Sequence, residues 1–165
     1  MNAKRMLEQL ILHEGFRGEP YQDTADPPNW TIGIGYNLSA RGTEHLTAVL
    51  NRKFNNEINL AEIRLTEAEA RLVCMADIQR IESVVRTHFP EYLELDEVRQ
   101  RVCLDLAFNI GFHALDFRRC IDAIKTRNWS KAAIELHKSK WSSQVGSGRS
   151  DRLAQMLLTG NDWTV

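Results

Sequence analysis

With 165 residues, 43% of them hydrophobic and 26% charged, the chain has the composition of one globular domain that buries about two-thirds of its unfolded surface. That balance excludes disordered, collagen-like and fibrous classes, and the absence of any run of ~18 apolar residues excludes a membrane-spanning helix. A net charge of −1 gives no global attraction to a polyanion, so a nucleic-acid partner is not expected.

Lys4 and Arg5 precede Met6, Leu7, Leu10, Ile11 and Leu12, the pattern of an export signal. Glu8 and Gln9 interrupt the apolar run and no small-residue cleavage site follows, so the expectation is a helix in a protein kept in a reducing cytoplasm. Asn2 is its predicted N-cap, Leu7, Leu10, Ile11 and Glu14 share one face, and Gly15 ends it. Asp26-Pro27-Pro28-Asn29 then signals a turn, and Thr31 to Tyr36 alternates with period two, which predicts a β-hairpin.

The rest reads as helical. Thr43 caps a helix carrying Leu46, Leu50 and Phe54, and Thr66 with Glu69 forms a capping box at the head of a long helix running towards Phe89. Asp96 caps a core helix that faces Val98, Val102, Leu106 and Ala107 inward and stops at Gly111. Asp116, Ser130 and Gly146-Ser147-Gly148 punctuate three more helices, the last ending at Gly160. Cys74, Cys103 and Cys120 lie in apolar helical patterns and read as buried thiols, as Trp129, Trp141 and Trp163 read as core; Trp30 is the exposed aromatic. His13, His45, His88, His113 and His137 lack ligand spacing, so neither metal nor cofactor is expected. From Arg118 to Arg152 lies a local excess of Lys and Arg, read mainly as solvated helix faces and otherwise as a surface for an anionic ligand.

The fold class expected is α+β and mostly helical. It comprises a single domain over 1–165, with a β-containing lobe over about 15–65 and a helical lobe over about 66–165 that includes helix 1–14. A long connecting helix starts near Thr66, and a cleft between the lobes suits an extended polymer.

Glycoside hydrolysis uses two carboxyl groups flanking the scissile bond, one protonated and one ionised. Glu14, at the negative end of a helix dipole with an apolar face before it, is placed to hold a proton. Asp23, among polar neighbours at the mouth of the hairpin, is placed to stay ionised and orient a water, with the Thr31 hydroxyl sharing it. An extended chain between Glu14 and Asp23 reaches ~30 Å, so only a chain doubling back at Gly15 brings them together, and spacing fixes neither a retaining nor an inverting outcome.

The segments His13-Glu14-Gly15-Phe16-Arg17, Pro20-Tyr21-Gln22-Asp23-Thr24 and Thr31-Ile32-Gly33-Ile34-Gly35-Tyr36-Asn37-Leu38 together resemble the signature of the bacteriophage-type lysozymes, the muramidases of glycoside hydrolase family 24. Arg101-Val102-Cys103 to Phe108-Asn109-Ile110-Gly111, Asn128 to Ala133, Ser139-Lys140-Trp141, Arg149 with Arg152 and Gly160-Asn161-Asp162-Trp163 follow in the same order, so the resemblance covers nearly the whole chain.

The resemblance implies a lysozyme-like fold and cleavage of peptidoglycan between N-acetylmuramic acid and N-acetylglucosamine with inversion. Glu14 is then the general acid, and Asp23 and Thr31 position the attacking water. Tyr21, Leu38, Phe108, Asn109 and Arg149 fall at substrate-contacting positions, although helix-end capping accounts for Asn109 equally well. With no export signal read in the sequence, the expectation is a monomer in the host cytoplasm that a separate membrane-permeabilising protein releases at lysis, or one that rides in a phage particle. A non-catalytic wall-binding or virion component of the same fold, and a chitin- or chitosan-directed glycosidase, are the alternatives. The segment from Thr24 to Trp30 is longer than in the best-known phage lysozymes. Tyr36 stands where the family often has histidine, which removes an ion pair available to relatives.

Overall fold

Gly15 stops the first helix in the computed structural model, which describes residues 1–24, 26–54, 62–111 and 117–163. Its φ is +71°, in the left-handed region where glycine carries no Cβ penalty, and its N–H donates to the Ile11 carbonyl at 2.9 Å. α1 (Ala3–Glu14) begins directly after Asn2 and buries Met6, Leu7 and Leu10. The chain groups into two compact units, Ala3–Arg80 and Ile81–Val165 with Met1–Asn2, so by contacts α1 belongs with the sheet.

In the first unit, β1 (Arg17–Gln22), β2 (Trp30–Gly33) and β3 (Tyr36–Asn37) form an antiparallel sheet in the order β1-β2-β3. The alternating stretch expected from Thr31 to Tyr36 is not one strand. Gly33 and Gly35 take φ of +67° and +66°, and a turn at Ile34 and Gly35 splits it in two. β2 is buried from Thr31 through Gly33 because it is the central strand, pairing Thr31 with Tyr21 on one side and with Asn37 on the other.

α2 (Leu38–Arg41) is capped by Asn37, whose side chain accepts from Ala40 N. α3 (Glu44–Leu50) starts after Thr43, which makes no side-chain capping bond, and ends at Asn51 with φ +48°. Phe54 therefore lies beyond the helix expected to carry it, although it still packs on the core of Ile32, Tyr36, Leu38, Leu46, Ile63, Leu65 and Val73. α4 (Glu67–His88) starts with the expected capping box. Glu69 N donates to Thr66 Oγ1 at 3.2 Å and Thr66 N to Glu69 Oε2 at 2.8 Å, a reciprocal pair that contributes about 1 kcal/mol. α4 enters both units, passing from one to the other between Arg80 and Ile81.

A buried carboxylate anchors this unit. Asp77 on α4 is 2% exposed, and Arg41 donates to its two oxygens at 2.6 Å each. His45 Nε2 and Arg80 Nε lie 3.3 and 3.7 Å from Oδ1. Tyr36, in place of the family's histidine, sits inside this network. Its ring stacks parallel to His45 and under the Arg41 guanidinium, and its hydroxyl donates to the Gly42 carbonyl at 3.1 Å.

The second unit is built on α5 (Glu97–Ile110), capped by Asp96 accepting from Arg99 N and stopped by Gly111 at φ +61°. Its polar residues are buried with partners, as low-dielectric burial demands. Arg99 donates to the Leu157 carbonyl and lies over the Trp129 ring, Gln100 donates to the Tyr92 carbonyl, and Arg101 pairs with Glu97 and Asp162. Of the helices that follow, α6 (Arg118–Lys125) packs on α7 (Trp129–His137), and α9 (Ser147–Thr159) packs on α5, α7 and α8 (Lys140–Val145).

Two expectations fail here. Ser130 does not cap α7; it lies inside the helix, and Asn128 is the cap, accepting from Lys131 N at 3.1 Å. Trp163 is not core but 38% exposed, with Arg152 over its ring. Asp116 lies outside the described residues. The three cysteines are free and buried as expected, and burial pushes the Cys74 and Cys120 thiols up to about 12. The α+β, mostly helical class is as expected, and among the described residues no helix is long and apolar enough to cross a membrane.

Candidate active site

The first unit gathers Glu14, Tyr21, Asp23 and Thr31. Glu14 is the last residue of α1, and the Gly15 turn sends the chain back into β1. Its half-buried side chain lies against the β2–β3 turn: a Cβ built on Gly35 would stand 3.2 Å from both Cγ and Oε2 of Glu14. Gly35 is thus required twice, for its positive φ and for its missing side chain.

Tyr21 connects this acid to the other. Its phenol is pushed above its ordinary pKa first by burial and next by the negative charges of Glu14 and Asp23, with Arg17 opposing them. The Arg17 guanidinium stacks 4.3 Å from the centre of the Tyr21 ring. Thr31 pairs with Tyr21 across the ladder and is 5% exposed.

Asp23 follows the end of β1, and Asn29 holds its carboxylate. The Asn29 backbone N–H donates to Oδ1 at 2.8 Å and Asn29 Nδ2 donates to Oδ2 at 3.1 Å, while Asp23 N donates to the Asn29 carbonyl at 2.9 Å. The turn with Pro27 and Pro28 therefore closes on a reciprocal Asp23–Asn29 contact, next to the Gln22–Trp30 pair of the sheet. The sequence marks Asn29 only as a turn residue. Leu38 is 4% exposed, with its side chain in the core.

The remaining expected residues lie in the second unit. Arg149 is 7% exposed and donates through Nε and NH2 to Asp105 Oδ1 at 3.0 and 2.8 Å; Asp105 is fully buried. At the end of α5, Phe108 is half-buried and Asn109 exposed. Asn109 Oδ1 accepts from Trp141 Nε1 at 2.8 Å, which ties it to the wall of a neighbouring pocket rather than to a helix end.

That pocket, of about 570 Å³, has an apolar wall of Ile110, Phe117 and Trp141 and is rimmed by Arg118, Arg119, Lys138 and Lys140, with Glu135 and Gln144 beside them. None of those four cations has an ion-pair partner among the described residues. Part of the basic excess between Arg118 and Arg152 is therefore gathered on one concavity. No group of His, Cys, Asp and Glu among the described residues is arranged to hold a metal ion.

Two carboxyl groups and a threonine hydroxyl are the kinds of group that acid catalysis and water orientation use. Two comparisons with known proteins bear on the family. "Probable T4-type lysozyme 2" from Dictyostelium discoideum is 27% identical over 165 residues, covering 93% of this chain and 93% of its own. The profile of the family described as Phage lysozyme matches residues 12–155, a span that takes in Glu14, Asp23, Thr31 and Arg149. With most of its length matched, the chain belongs to the phage lysozyme family, glycoside hydrolases that act on peptidoglycan.

Proposed function

We propose that this protein cleaves the bond between N-acetylmuramic acid and N-acetylglucosamine with inversion. Glu14 protonates the glycosidic oxygen, while Asp23 and Thr31 align a water on the opposite face of the sugar. The observation that carries the reading is that one sheet holds all three residues: Glu14 lies against Gly35, Asn29 holds Asp23 beside the Gln22–Trp30 pair, and Thr31 pairs with Tyr21. The cationic pocket supports peptidoglycan as substrate, because its arginines and lysines suit the carboxylates of the wall's stem peptides and its apolar wall suits their side chains.

Glu14→Gln keeps the shape of the acid and removes its proton-donating role. The variant should unfold like the native protein and lose release of reducing sugar from purified cell walls by at least about 100-fold, the scale of general acid catalysis. Retained release would remove Glu14 from the mechanism, and NMR of the first anomer formed from a soluble wall fragment tests inversion.

The family supports a role in phage-type host lysis, as a monomer that waits in the host cytoplasm until a membrane-permeabilising partner releases it. The relative from Dictyostelium discoideum favours a second setting, in which a cell that carries no phage uses the same chemistry on bacteria.

A further inference from the structure

We infer that Asn29 is a positioning residue for the reaction, acting through Asp23; the inference rests on the assignment of Asp23 to the attacking water. An ionised carboxylate accepts hydrogen bonds only, and it works as a water-orienting group when its plane is fixed and its charge retained. Asn29 does both. One donor from its backbone and one from its side chain engage the two different oxygens of Asp23, at 2.8 and 3.1 Å, so the carboxylate cannot rotate about its Cβ–Cγ bond without breaking one of them.

Asn29 is itself held. Its carbonyl accepts from Asp23 N at 2.9 Å. The next residue, Trp30, pairs with Gln22 in the sheet, and its N–H donates to Ser39 Oγ at 2.8 Å. The donors are therefore anchored to the sheet that carries Thr31, and Asp23 and Thr31 are referenced to one another through Asn29. Two N–H donors favour the charged carboxylate over the acid, so Asn29 also keeps Asp23 ionised as pH falls. The charged and titratable groups that share this patch are Glu14, Arg17 and Tyr21; Glu14 and Asp23 both press on the Tyr21 phenol, and the Arg17 guanidinium lies over its ring.

Asn29→Ala removes the side-chain donor and leaves the backbone one. With soluble glycan fragments, kcat should fall on the order of tenfold, the scale of a lost charge-assisted hydrogen bond, with KM within about twofold. The acid limb of the pH–rate profile should move to higher pH. Asn29→Asp, which places a second carboxylate against the first, should move that limb further in the same direction. Titration of the Asp23 carboxyl carbon by NMR reads the same effect without activity, and its midpoint should rise in both variants.

A merely structural Asn29 would lower the unfolding temperature while leaving kcat per folded molecule, the acid limb and the Asp23 midpoint unchanged, and that result overturns the inference. If the midpoint rises while kcat is unaffected, Asn29 sets the charge of Asp23 without positioning anything for the reaction, which also overturns it. A native protein that releases no sugar fails the assignment of function instead, a result separable from the NMR titration.

Discussion

Each unit buries an aspartate on a helix and meets it with an arginine from a distant segment, yet the two pairs differ. Asp77 takes Arg41 through both oxygens, keeps His45 and Arg80 close by, and its arginine is 26% exposed. Asp105 takes two donors of Arg149 on a single oxygen, and both side chains are buried, at 8% and 0% exposure. The first pair joins a buried carboxylate to a partly exposed arginine, and in the second both side chains are buried inside the helical unit. The contrast teaches that a buried ion pair's cost of disruption depends on how fully both of its charges are desolvated.

Arg149→Met leaves Asp105 with neither of those donors, and urea unfolding should show a loss of about 3–5 kcal/mol. Arg41→Met should cost less, about 1–2 kcal/mol, because Arg41 is 26% exposed against 8% for Arg149 and Arg80 stays beside Asp77. Burial presses the His45 pKa down, and Arg41 adds to that depression. Removing Arg41 should therefore let His45 take up a proton at higher pH, which NMR of its ring protons would report. Equal costs for the two arginines would break the contrast.

The two units also differ in the charges they present. Glu14 and Asp23 lie in the first, and the four cations that rim the pocket in the second. Reversing Lys138 and Lys140 together to glutamate should raise KM on intact walls on the order of fivefold at low salt, fading at high salt, with little change on uncharged glycan fragments. An equal loss on both substrates would show that the pocket does not bind the acidic part of the wall.

The smallest effect belongs to the α4 cap. The Thr66 backbone N–H holds the Glu69 carboxyl below the usual range. A depressed folded pKa gives stability that is full above the unfolded value of about 4.3 and is lost as pH falls through the folded one. Glu69→Gln should cost about 0.5–1 kcal/mol at pH 7 and almost nothing near pH 2, measured by urea unfolding across that range. A constant difference at all pH would show that packing, not charge, explains the site.

The features legible in the sequence are those whose cause lies within one helical turn. Gly15, Gly111, Asp96 and the Thr66–Glu69 box each act on a neighbour three or four residues away, and each is found where expected. Ser130 misleads because Asn128, two positions earlier, is an equally good cap in a sequence that offers both. Pairings over long separations stay hidden: Arg41 with Asp77 is 36 residues apart and Arg149 with Asp105 is 44. Asp105 gives no signal at all within an otherwise apolar run. At the candidate site, the resemblance to the phage-type lysozymes marks Glu14, Asp23 and Thr31, but the partner that holds Asp23 depends on how a turn with two prolines closes, and Asn29 reads only as part of that turn.

Glu14 rests on a bare stretch of main chain at Gly35. One wall of the Glu14 position is thus inherited from the path of the polypeptide, and exchanges elsewhere on the sheet surface leave that wall untouched. Such a wall has no rotamer to change and offers no atom to trim, so the sequence between Asp23 and Trp30 can vary while that wall of Glu14 stays as it is.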